Sequence, residues 1–328
     1  MLKYILRRFA LVIPVLIAVT MLCTAMLSLL PGDAAAVALG VNATPEGLKA
    51  KRHEFGLDKP YPIRYAKWAG NAITGDFGTS WKYEGVKVTD LVKQSFPVSL
   101  TLAIMCIMLS LLIAIPLGVY SAYRVGGRLD RLINTVAFGT LSIPGFVAGL
   151  GVLLLFSALF KRTGADGTTS NFFLRDYVPF FDNPVRCIQS LFAPAISVSI
   201  SQSAGFLRII RTDMATTLQD DYVLMAKSKG MSDRYILARH AFRPSSFTLM
   251  TVVGVAVGQL LGNLLIIEGI FTLNGLGGKV FQAINDRDYP VTLGVVAIIT
   301  VVFVLTATII DILYGVVDPR VRFARKLA

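Results

Sequence analysis

Residues 220–244 read DDYVLMAKSKGMSDRYILARHAFRP, a polar and basic island between two long apolar runs. Tyr222, Met225 and Ala226 have the i, i+3, i+4 spacing of one helical face. Lys227, Lys229 and the Asp220, Asp221 pair fall largely outside that face. Gly230 is placed to close the helix, because glycine takes positive φ at no steric cost. The Ser232 hydroxyl is placed to cap a second short helix, and Pro244, lacking an N–H, to stop it. The stretch therefore predicts two short amphipathic helices with a hinge, held at a membrane surface. Such a unit serves either to dock a soluble partner that pushes on membrane helices or to lie on anionic lipid.

The membrane context follows from composition. Of 328 residues, 54% are hydrophobic and 16% charged, against about 25% charged in soluble domains. Several apolar runs reach about 20 residues, the length that crosses a bilayer. The chain is read as an all-α polytopic membrane protein with six transmembrane helices at 9–30, 98–120, 132–160, 191–210, 247–270 and 290–317. The first run, 22 residues long, exceeds the apolar core of a signal peptide and reads as an uncleaved anchor. The segment 31–96 is too rich in Gly, Pro and charge to span; it reads as a small extracytoplasmic domain with short helices at 45–55 and 62–73. Residues 1–30 hold the N-terminus and span 1. Residues 97–317 form a five-helix core containing the 211–246 loop, and 318–328 are a basic tail.

With both termini inside, the inner segments carry 17 Lys and Arg against 6 acids, and the outer ones 15 against 12. The net charge of +12 thus follows the positive-inside rule and calls for no nucleic acid. The 220–244 stretch falls on the cytoplasmic side. In span 3, Ser142-Ile143-Pro144-Gly145 predicts a kink. Span 4 is polar for a span: Ser197, Ser201 and Gly205 share a face with Gln202 beside them, suited to close helix packing or to lining a polar path.

No catalytic constellation is present. Gly275-Leu276-Gly277-Gly278-Lys279-Val280 lacks the spacing and the Ser/Thr of a phosphate-binding loop. His53-Glu54 has no second His, and no G-x-S-x-G occurs. Cys23, Cys106 and Cys187, odd in number and without paired spacing, read as buried thiols, and no metal site is expected. Glu268 and Asp311 lie in apolar runs; Glu268 is placed to snorkel or to cap N–H groups of the 272–276 loop.

Asp221-Tyr222, Ala226-x-x-x-Gly230 and Arg239-His240-Ala241 resemble the coupling loop of bacterial ATP-binding cassette importer permeases, in the dipeptide and oligopeptide branch. Leu30-Pro31-Gly32-Asp33, Ser142-Ile143-Pro144, Glu268-Gly269-Ile270-Phe271, Arg287-Asp288-Tyr289-Pro290 and Asp318-Pro319-Arg320 resemble further segments of that family in order. Leu224, Met225 and Ala226 stand where the general importer pattern has acid-Ala-Ala. The resemblance implies a non-catalytic permease subunit of an importer, for peptides or else nickel chelates or other small solutes. It implies a homologous second permease, ATPase subunits that bind ATP and Mg, and an extracytoplasmic binding protein, all at the bacterial inner membrane. Asp220, Asp221, Tyr222, Met225, Ala226, Lys229, Gly230, Arg239 and His240 would couple to the ATPases. Ser197, Ser201, Gln202 and Gly205 would line the path, and Asp58, Asp76, Phe77 and Trp81 would meet the binding protein. A gradient-driven transporter or channel acting alone is the competing class, distinguished by flux without a partner.

Overall fold

The computed structural model describes residues 2–29, 31–40, 43–163, 169–171, 173 and 177–317. The basic tail, Asp166 and Asp176 of the 161–190 loop, and the Asp311 side chain lie outside the described residues. Helix α1 (Leu2–Leu29) leads to three short helices, α2 (Ala34–Leu39), α3 (Pro45–Glu54) and α4 (Tyr61–Ile73). Long helices follow: α5 (Val88–Tyr123), the pair α6 (Arg128–Leu141) and α7 (Gly145–Leu159), and α8 (Pro184–Thr217). Then come α9 (Asp221–Ser228), α10 (Asp233–Tyr235), a π-helical segment (Ile236–Ala241), α11 (Phe242–Ile270), α12 (Leu276–Asn285) and α13 (Tyr289–Val317). Between α7 and α8, β1 (Lys161–Thr163) and β2 (Thr169–Asn171) pair antiparallel with Lys161 opposite Asn171, a short hairpin in an otherwise helical chain.

Among the described residues five helices are long and apolar enough to cross a membrane, and six if α6 and α7 count as one span. The predicted kink in span 3 is a break: α6 and α7 meet at 104°. Pro144 sits at the N-cap position of α7 and has no N–H to continue α6. The Thr140 carbonyl, which an N–H at 144 would have served, takes the Ile143 N–H at 3.3 Å.

The chain divides into two compact units, with α5, α11 and α13 contributing to both. One comprises Met1–Leu100 and Leu264–Leu305. Its core joins Val88, Leu276, Val280, Ala283, Val291 and Val295. Helix α12 was not foreseen; 272–289 read as a loop. It presents Leu276, Val280 and Ala283 to that core at i, i+4, i+7, and a carboxylate from α11 holds its first amides. Within this unit α1 is tied down by polar tips on its backbone: the Tyr61 hydroxyl donates to the Met21 carbonyl (2.6 Å) and Tyr289 to Leu27 (2.8 Å).

The second unit comprises Thr101–Asn263 and Thr306–Ala328. Helix α8 is its axis, with Phe206, Leu207, Ile210 and Met214 buried against α5 and α11. The serines do not expose it. Ser197 and Ser199 are fully buried and return their hydroxyls to the Pro194 and Ala195 carbonyls, both at 2.7 Å. Ser199 also reaches the Cys106 carbonyl of α5 at 3.0 Å. Close approach of α5 and α8 needs Gly118: an added Cβ would lie 2.9 Å from Ile210. Overpacking of this kind costs about 1–3 kcal/mol. Gly118→Ala is therefore expected to lower the midpoint of thermal unfolding in detergent, and a midpoint equal to that of the parent chain would refute the packing assignment.

Candidate functional site

The 220–244 stretch folds as a helix, a tight cap and a second helical start. Asp221 opens α9 and Lys227 closes it, each favourable to the helix dipole. The cap is a Schellman turn: Met231 N–H donates to the Ala226 carbonyl (3.2 Å) and Gly230 N–H to Lys227 (2.9 Å). Gly230 has φ +75°, as its position in the sequence predicts. Ser232 stands at the N-cap position of α10, but its side chain makes no capping bond.

The buried face differs from the predicted one. Val223, Ala226 and Ile236 form a small core with Leu218, whereas Tyr222, Leu224 and Met225 are exposed. Of the predicted stripe only Ala226 turns inward. Val223 takes the inner place because it is one β-branched residue, three positions before Ala226, that fits against Ile236. Met225, 59% exposed, lies on the outer face with Asp220, Asp221, Lys227, Lys229 and Gly230.

Pro244 does not stop the second helix. The π-helical turns run directly into α11, with Pro244 in its first turn. In an α-helix an N–H at 244 would serve the His240 carbonyl. The Tyr222 hydroxyl donates to that carbonyl instead, at 3.1 Å. Burial, and then the charge of Asp220, push the Tyr222 phenol pKa up, which keeps it a donor. The His240 ring is half-buried and packs against Tyr222 and, edge-on, against Tyr235; Arg239 is exposed. A cavity of about 210 Å³ lies beside the unit, walled by Leu218, Lys227 and Ile236 on one side and Ala122, Tyr123 and Val125 on the other. Tyr123 donates to Asp233 across its mouth at 2.6 Å.

Sequence reasoning missed the polar knot beneath this surface. Asp130, 2% exposed, accepts a bidentate pair from Arg211: Nε to Oδ1 at 2.7 Å and Nη2 to Oδ2 at 2.9 Å. The Ser121 hydroxyl, the Gly126 N–H (2.9 Å) and the Asn134 amide (2.7 Å) complete its shell. In the sequence Asp130 falls in the short stretch between the second and third predicted spans, and its partner lies 81 residues away.

The other predicted positions divide. Ser197 is buried and packed, whereas Ser201, Gln202 and Gly205 are half-buried, and the Ser201 hydroxyl has no partner among the described residues. In the other unit Trp81 is stacked between Phe55 (4.3 Å) and Tyr289 (5.1 Å), and Phe77 packs on the apolar core. Asp58 and Asp76 are exposed, Asp76 accepting from Gly78 N–H at 2.9 Å. Glu268 is fully buried and does cap amides, further along than predicted. It accepts from Gly277 N–H (2.7 Å), Gly278 N–H (3.1 Å) and the Ser99 hydroxyl (2.6 Å), and Ser99 accepts from Leu276 N–H (2.8 Å).

With this geometry in place, the comparisons with known proteins are direct. Residues 114–323 match the family described as binding-protein-dependent transport system inner membrane component, and residues 1–103 match its N-terminal companion. The chain belongs to this family. Among its relatives is a protein of Brucella abortus named for a peptide transport system, 34% identical over 97% of this chain and 98% of the relative. The oligopeptide transport system permease protein of Bacillus subtilis is 32% identical over 98% of this chain and all of its own. The dipeptide transport system permease protein of Lactococcus lactis is 30% identical over the same shares. A chain of the inward-facing MetNI methionine ABC transporter shares the fold, with TM-score 0.55 and 14% identity over 70% of this chain and 96% of its own. Members of this family are multi-pass inner-membrane components, and the matched region contains the whole of α8 to α11.

Two substitutions test the local geometry. Gly230 has open space around a Cβ, so only its φ opposes a side chain. Left-handed backbone costs about 1–2 kcal/mol in other residues. Gly230→Val should speed hydrogen exchange of the α9 amides, with Gly230→Asn milder; unchanged exchange would remove the cap argument. Asp130→Ala leaves Arg211 facing an emptied shell, and breaking a buried pair costs about 3–5 kcal/mol, reduced here by the partial exposure of Arg211. The expected reading is a lower yield of folded protein and a lower thermal midpoint.

Proposed function

We propose that this chain is a membrane-spanning permease subunit of an ATP-driven importer of peptides, and that residues 220–244 are where it meets separate ATPase subunits. The observation that carries the reading is the two-sided build of α9. Val223 and Ala226 fasten it to the rest of its unit, while Leu224 and Met225 stay exposed among Asp220, Asp221, Lys227 and Lys229. A helix that merely lay on lipid would turn its basic and apolar residues to the same side; here acids flank the exposed apolar pair. The mixed charge favours a protein partner.

The sequence holds no phosphate-binding loop of its own. In this reading ATP and Mg bind in the ATPase partners, and this chain supplies shape and displacement only. A homologous second permease completes the path, with Ser201, Gln202 and Gly205 of α8 towards it. An extracytoplasmic binding protein delivers substrate to the 31–96 side, where Asp58 and Asp76 are available for contact. Both termini then lie in the cytoplasm. The peptide assignment is supported by the names of the relatives, each at or above 30% identity over nearly the whole chain.

Purification of the tagged chain from its native membrane is expected to bring down an ATPase and a binding protein. Mass spectrometry of the latter's ligand should find peptides. Replacing 222–229 by a flexible Gly-Ser linker is expected to abolish uptake. Uptake that persists with the linker, or gradient-driven flux by the chain alone in liposomes, would overturn the reading.

A further inference from the structure

The reading of α9 as the ATPase contact leaves open how its displacement reaches the membrane helices, and the residues around His240 answer this. Gly230, at φ +75°, turns the chain at the C-terminal end of α9. Beyond that turn the chain re-forms a helix through a six-residue π segment and continues as α11. Besides the ring pair of Tyr222 and His240, two contacts join α9 back to that segment. One is the apolar meeting of Val223 and Ala226 with Ile236, which is small and has no preferred direction. The other is the hydrogen bond from the Tyr222 hydroxyl to the His240 carbonyl at 3.1 Å, which is directional.

That carbonyl is not an arbitrary acceptor. It lies four residues before Pro244, whose ring nitrogen carries no hydrogen, so the ordinary helical donor is missing at this point. The side chain that answers it comes from the other limb of the hinge. Rings flank the same residue: His240 stands 6.3 Å from Tyr222 and 5.7 Å, edge-on, from Tyr235, which resists sideways slip of the contact.

We infer that Tyr222 is a positioning residue that carries motion of α9 into the start of α11, by gripping the His240 carbonyl, whose α-helical donor position is held by Pro244. The inference rests on the proposed role of α9. In it Tyr222 acts inside the chain, with the exposed Leu224 and Met225 left to face the partner.

The test uses the whole complex in liposomes, supplied with a defined mixture of di- to pentapeptides. ATP hydrolysis and mass-spectrometric uptake are read together. Tyr222→Phe removes only the hydroxyl. It is expected to leave the amount of bound ATPase unchanged and to raise the ATP hydrolysed per peptide imported about 2- to 10-fold, the range set by loss of one hydrogen bond. A second variant, Y222F/P244A, restores an N–H at 244 without restoring the link to α9, and its ratio should stay raised. Return of the double variant to the parent ratio would mean that the hydroxyl only satisfies a carbonyl, and the inference falls. It falls equally if Tyr222→Phe couples like the parent chain, or if that variant alone loses its ATPase, which would make Tyr222 a docking residue. Absence of an ATPase from the parent complex removes the underlying reading and this inference with it, and is seen before any variant is made.

Discussion

A backbone group that a helix end leaves without its helical partner needs a hydrogen bond from elsewhere, and in this chain side chains supply several of them. The polar architecture here follows from that constraint. The first amides of α12 are answered by Glu268 and Ser99. The Gly126 N–H ahead of α6 is answered by Asp130 of α6 itself, which also takes the Arg211 fork from α8. The carbonyl ahead of Pro244 is answered by Tyr222 of α9. In each case the answering group belongs to a contact that joins two elements, so satisfying one helix end also fixes the position of another. The hydrogen bonds are individually worth about 0.5–1.5 kcal/mol net. Their structural weight comes from where they act.

The same constraint explains why the serine-rich helix is the buried one. Hydroxyls that fold back on carbonyls three or four residues earlier leave a narrow, nearly apolar cylinder. Gly118 opposite Ile210 narrows the contact further. Helix α8 then runs from this packed interior through Arg211 to Leu218, which touches both the main core and the small core under α9. Two sets of contacts therefore lead inward from α9, a greasy one through Leu218 and a polar one through the Tyr222 hydroxyl. Only the second has a direction.

Much of this was legible from residue order. Composition and run length pointed to a mostly helical chain with long apolar helices, of which five, or six with α6 and α7 joined, are found among the described residues, and the termini of α3, α4 and α13 lie within a residue or so of their predicted places. Gly230 and the Ser142–Gly145 break were readable because glycine and proline act locally. The misses share one physical cause. Helix α12 begins with three glycines within four residues and no capping side chain, since its cap lies in α11; Asp130 looked like one loop charge because Arg211 is far along the chain. The inward face of α9 was misjudged by one position, since Ile236, which selects Val223, lies beyond the hinge. Pro244 was given a stopping role that holds for an isolated helix and lapses when a side chain replaces its missing donor.

Both tryptophans of the chain, Trp68 and Trp81, fall between α1 and α5, and Trp81 is sandwiched nearly parallel to Phe55 with Tyr289 on its other face. Arg64 sits over the Tyr289 ring and Lys51 over Phe55, so the indole is the middle rung of a short ladder of rings closed at both ends by cations. Tryptophan emission, excited selectively over tyrosine, therefore reports on that one region, since α8, α9 and α11 carry no tryptophan.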